Sequence, residues 1–178
     1  MLIRLFGGAA LALGLLASPA SAQTDDILAP ARAGQLQCFE PNVANKTCQA
    51  LDAYTVGADG AVQNATQAVI SPAPLIVMRM VLNVTIRDNA ICGPLTTADI
   101  NAATFTVDGN PASAEQTAQI QNAMRNQLGP MLNLETCLTL RPDGDTMRAE
   151  TALNGVGRPD MAQRMIWVGA NDGYRVAP

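Results

Sequence analysis

The chain has 178 residues, of which 48% are hydrophobic, 15% charged and 3% aromatic, with 11 Lys+Arg against 15 Asp+Glu, a formal net charge of -4 and no histidine. That is one domain's length, and the missing histidine excludes Ser-His-Asp chemistry and histidine-ligated metal sites. A net acidic chain with a single lysine, Lys46, and otherwise scattered arginines also lacks the clustered basic surface that nucleic-acid binding needs.

The N-terminus carries an export pattern. Arg4 precedes an apolar run from Leu5 to about Ala17, and small residues at Ala20 and Ala22 suit signal-peptidase cleavage between Ala22 and Gln23. The run is shorter than the ~20 residues of a membrane-spanning helix. No cysteine stands directly after the cut, the first being Cys38, and no arginine pair precedes the run, which argues against a lipid anchor and twin-arginine export. Residues 1–22 therefore read as a signal peptide, residues 23–33, with Asp25, Asp26 and Pro30, as a flexible leader, and residues 34–178 as a single domain. The most apolar later stretch, Leu75 to Ile86, is broken by Arg79 and Asn83, so no span is expected after signal removal. The excess of arginine over lysine, with abundant alanine, points to a bacterial source and hence to the periplasm or the medium. Asn45-Lys46-Thr47, Asn64-Ala65-Thr66 and Asn83-Val84-Thr85 are glycosylation acceptors only in a eukaryotic secretory pathway.

All four cysteines, Cys38, Cys48, Cys92 and Cys137, follow the leader, and an even count in an exported chain reads as two disulfides. Of the three possible pairings we favour Cys38 with Cys48, across a turn started by Glu40-Pro41-Asn42, and Cys92 with Cys137, between two strands. Loop entropy makes these worth about 2.7 and about 4 kcal/mol. Neither spacing is the C-x-x-C of zinc or redox sites, so no metal or redox role is assigned.

Along the domain, Asp59-Gly60 reads as a turn between Lys46–Val56 and Ala61–Ile70, although the alternation there is poor. Ser71-Pro72-Ala73-Pro74 is an extended connector. From Leu75 to Arg87 the even positions Ile76, Met78, Met80, Leu82, Val84 and Ile86 are all apolar while Arg79, Asn83, Thr85 and Arg87 are odd, the period of a half-buried strand. Thr97 to Ala102 forms a short extra turn, and Phe105 and Val107 belong to a strand ending at Asp108-Gly109. One long helix is predicted: Ser113 and Gln116 make a capping box, Ile120, Met124 and Leu128 share a face, and Gly129-Pro130 ends it. Around Asp143-Gly144 a hairpin places Leu140 opposite Met147, Leu138 opposite Ala149, Thr136 opposite Thr151 and Leu134 opposite Leu153. On its polar face Arg141 meets Thr146, Thr139 meets Arg148, Cys137 meets Glu150 and Glu135 meets Ala152. Gly155 to Pro159 reads as a connector and Arg164 to Val168 as the last strand.

No catalytic, cofactor-binding or metal-binding residue is assigned. Glu135 and Glu150, diagonal neighbours on the polar hairpin face, are the best carboxylate pair for a histidine-free hydrolase, but Arg141 and Arg148 share that face. Asp143-Gly144-Asp145 lacks the later ligands of a calcium loop. There is no G-x-S-x-G and no S-x-x-K. Met78, Met80 and Met124 fall on apolar faces and read as core filler, not metal ligands.

The fold expectation is α+β: a mainly antiparallel sheet with one amphipathic helix packed on one face and two disulfides. The functional expectation is a periplasmic or secreted, non-catalytic binding or structural module of the bacterial cell envelope, whose partner is an envelope or extracellular protein or a small ligand. The alternatives are a secreted enzyme inhibitor, presenting a loop such as 40–46 or 154–163, and, third, the carboxylate hydrolase. A ligand-binding module should hold an apolar cavity where a core would otherwise be filled.

Overall fold

The computed structural model describes residues 26–178. The predicted signal peptide and its Ala22–Gln23 junction lie outside the described residues. Twelve strands are present among them: β1 (Gln35–Phe39), β2 (Thr47–Cys48), β3 (Ala50–Val56), β4 (Val62–Pro72), β5 (Leu75–Arg87), β6 (Ala90–Pro94), β7 (Thr104–Val107), β8 (Asn110–Pro111), β9 (Glu135–Asp143), β10 (Thr146–Leu153), β11 (Val156–Gly169) and β12 (Arg175–Val176). The helices are α1 (Ala29–Arg32), α2 (Thr97–Ala102) and α3 (Ala114–Leu128), the last followed by a 3-10 turn at Gly129–Met131.

The order β4-β3-β1-β11-β10-β9-β6-β5 returns on itself because β4 also pairs with β5, closing an eight-stranded antiparallel barrel. This corrects the expected α+β arrangement: no open sheet carries a helix on its face. The reason lies in closure. In a barrel the apolar face of each strand is buried against the other strands across the interior, so no helix is needed to cover it. Two strands complete the ring. β1 pairs with β3 on one side and β11 on the other, and β11 runs over fourteen residues, from Val156 to Gly169. The segment 155–159, expected as a connector, is mostly the start of β11 and pairs with β10 at Arg158 and Gly157.

The long strand β5 occupies the predicted stretch and works twice along one edge. Its last residues pair with β6 (Thr85 with Cys92, Arg87 with Ala90), and its first residues pair with β7 (Ile76 with Val107, Arg79 with Thr104). The β9–β10 hairpin keeps the expected faces but shifts register by two residues: Leu140 faces Ala149, Leu138 faces Thr151, Thr139 faces Glu150 and Cys137 faces Ala152. Asp143 pairs with Thr146, so Gly144 and Asp145 make the turn. Gly144, at φ +59°, takes the first central position that wants a positive φ. An even shift preserves the inside and outside of every side chain, which is why the apolar pattern could not distinguish the two registers.

Both barrel ends carry helices. At one end α1 brings in Ile27 and Leu28, the latter fully buried, against Val62, Val84, Ile91, Leu138 and Leu140. The N–H of Ile27 donates to Asn89 Oδ1 at 3.0 Å, and Arg32 and Asp26 form an ion pair across the helix. Residues 27–32, part of the segment read as a leader, thus contribute to the core. At the other end the capping boxes of α2 (Thr96 with Asp99) and α3 (Ser113 with Gln116) start helices whose apolar residues Ile100, Ile120, Met124 and Leu128 pack with Met78, Met80 and Phe105. Both helices belong to the long excursion between β6 and β9, and the Cys92–Cys137 disulfide joins those two strands where the excursion leaves and returns.

Outside the wall, Cys38, Leu51 and Val168 are covered by Cys48, Tyr174 and Val176. Here the Cys38–Cys48 disulfide and the parallel β2–β12 pair hold the C-terminal residues against the barrel. Elsewhere the outer face exposes Gln63, Gln67, Arg79 and Asn83 on β4 and β5 and Arg141 and Arg148 on β9 and β10, with Val81 and Val156 also exposed. No helix among the described residues is long and apolar enough to cross a membrane.

Candidate functional site

Period-two alternation sends one residue in two into the barrel, and the inward sets of the strands differ in chemistry. From β5 come Met78, Met80, Leu82 and Val84; from β6, Ile91; from β9 and β10, Leu138 and Leu153. The residues of β3 and β4 that line the same space are polar instead: Asp52 and Tyr54, Asn64 and Thr66. Strand register sets Asp52 beside Thr66 and Tyr54 beside Asn64, so the four cluster on one side of the interior. The β1–β3 register adds Gln37 beside Asp52.

These walls surround a cavity of about 360 Å³, completed by Leu128 at the end of α3, Met131 of the 3-10 turn and Met161 of β11. An eight-stranded barrel is wide enough either to fill with side chains or to hold one small ligand, and this volume falls within the range of ligand pockets, ~300–1,000 Å³. Gly93 of β6 also lines it. A methyl group there would lie 2.9 Å from the Asn83 carbonyl oxygen, so glycine permits β6 to approach β5 closely.

The polar cluster is buried and connected. Asn64 Nδ2 donates to Asp52 Oδ2 at 3.0 Å and to the Tyr54 hydroxyl at 3.3 Å, and that hydroxyl donates to Gln37 Oε1 at 2.9 Å. Gln37 is fully buried, Asn64 is 7% exposed and Asp52 8%. Three of their atoms, Gln37 Nε2, Asp52 Oδ1 and Asn64 Oδ1, have no hydrogen-bond partner within the protein. Buried polar atoms are ordinarily paired, and an unpaired one costs about 1–3 kcal/mol. Burial pushes the Asp52 carboxyl above its ordinary 3.8, against the opposing hydrogen bonds from Thr66 and Asn64. Burial, and then the neighbouring Asp52, push the Tyr54 phenol up as well. No lysine or arginine is among the described residues lining the cavity. The arrangement therefore offers an apolar volume with a hydrogen-bonding wall and no cation.

The residues considered from sequence lie elsewhere. Glu135 is held by Arg87 at 2.6 Å, whereas Glu150 is held by Arg141 at 2.9 Å and Arg148 at 3.6 Å, all with substantially exposed side chains. The two carboxylates thus belong to separate exposed ion pairs. Residues 156–163 lie within β11 and form no projecting loop. Met78, Met80 and Met124 share one apolar cluster. Among the described residues no group of three or more Cys, Asp or Glu side chains could hold a metal ion. Asn64, in one of the three acceptor triplets, points into the barrel, while Asn45 and Asn83 are exposed.

Sequence reasoning missed Gln37, Asp52, Tyr54, Asn64 and Thr66. Their signal was present as the weak alternation on either side of Asp59-Gly60, where polar residues occupy the inward positions. A second concavity of about 580 Å³, beside Leu36, Ala53, Ala65, Arg79 and Val81, shares Asp52, Thr66 and Met80 with the first. Comparison with known proteins yields no matching family model, no matching curated protein and no matching solved structure.

Proposed function

We propose that this is an exported, non-catalytic binding protein of the bacterial periplasm or surroundings that holds one small, largely apolar molecule inside its barrel. The observation that carries this reading is the 360 Å³ cavity, walled by apolar side chains on β5, β6, β9 and β10 and by buried polar residues on β3 and β4 with unpaired atoms. Apolar walls supply affinity and a few fixed polar groups supply orientation, the usual division of labour in a small-molecule site. Two disulfides suit an oxidising compartment.

Titration with the small neutral fluorophore 1-naphthylamine tests it. Emission should rise saturably at one probe per protein, and Leu82→Trp, which fills the cavity, should abolish the rise while circular dichroism still reports a folded barrel. Unsaturable emission, or full binding by the folded Leu82→Trp protein, would contradict the reading.

A further inference from the structure

Resting on that reading, we propose that the ligand is an uncharged amphiphile whose head group donates hydrogen bonds, a hydroxyl or primary amide, and that the cavity rejects carboxylates of similar length. Two of the unpaired atoms belong to residues that line the cavity. Asn64 Oδ1 is an acceptor and requires a donor; Asp52 Oδ1 accepts when ionised and can donate when protonated. A hydroxyl or primary amide supplies a donor, whereas a carboxylate supplies none.

Charge sharpens the choice. A carboxylate moved into the barrel leaves water, meets no lysine or arginine on the lining, and is placed beside Asp52. Desolvation of an unpaired ion is among the most unfavourable steps in binding. The groups facing Asp52 are Gln37, Tyr54, Asn64 and Thr66, all neutral, so nothing in the cluster compensates an introduced negative charge. Apart from Thr136 the remaining lining is apolar and suits a hydrocarbon tail. At about 30 Å³ per non-hydrogen atom, the share of a liquid water, the cavity accommodates roughly a dozen such atoms.

Isothermal titration calorimetry of the purified protein at neutral pH, with 1-decanol and sodium decanoate as probes, tests the inference. Decanol should bind at one per protein and more tightly than decanoate by about tenfold or more, and Asp52→Asn should narrow that ratio. Equal or tighter decanoate binding overturns the head-group assignment and leaves the cavity reading standing. Failure of both probes to bind overturns the cavity reading itself. A folded Asp52→Asn protein with an unchanged ratio removes Asp52 from the selectivity, and if that variant does not fold, the wild-type comparison decides.

Discussion

Asp52 is a carboxyl held inside a barrel by neutral hydrogen-bonding neighbours, and its titration should be visible in stability. Its folded value lies above the ordinary 3.8, so as pH rises past that value the unfolded chain releases the proton first and the folded state retains it. Stability from this group is therefore fully present below 3.8 and declines as pH rises toward the folded value. Asp52→Asn lacks the titration, so its stability relative to wild type should increase over that rise, measured as denaturant midpoints from acid to neutral pH. A constant difference would mean that the carboxyl is not desolvated. Gly93→Ala forces a methyl group against the Asn83 carbonyl and should cost about 1–3 kcal/mol, read by the same unfolding. At this scale the site was poorly legible because its residues break the rule that reveals strands. Asn64 and Thr66 fill inward positions where an apolar residue would announce a core, as Met78 and Met80 do on β5. Local inconsistency of this kind is where functional positions are expected to lie.

Elements with strong local chemistry were legible. The capping box at Ser113 and Gln116 and the stripe of Ile120, Met124 and Leu128 specify α3 within the chain itself, and the alternation of β5 does the same for the longest uninterrupted apolar pattern. What α3 packs against was not legible, because an apolar stripe fits a sheet face or a barrel end equally well. Ser113→Ala should lower stability by about 1 kcal/mol through loss of the cap, seen as a lower thermal midpoint. At the opposite end, Leu28 is fully buried although it precedes the short helix α1. Leu28→Ala should cost roughly 2–5 kcal/mol in equilibrium unfolding. A cost near zero would show that residues 26–33 lie free of the barrel.

At the scale of the molecule, closure was hidden because it depends on β1 meeting β11, strands at opposite ends of the domain whose pairing no local pattern records. A half-buried strand in an open sheet and one in a barrel share the same alternation; only the number of strands and their tilt distinguish them. Closure creates the interior on which the functional reading rests. Its most direct test is titration of protein carrying carbon-13 methionine methyl groups with 1-decanol, followed by NMR. Met78, Met80, Met131 and Met161 line the cavity, whereas Met147 and Met165 belong to a separate cluster with Phe39 and Ala149. The first four signals should shift together and saturate at one equivalent while the other two hold their positions. Unmoved cavity methyls, or shifts that grow without saturating across all six, would contradict a ligand site inside the barrel.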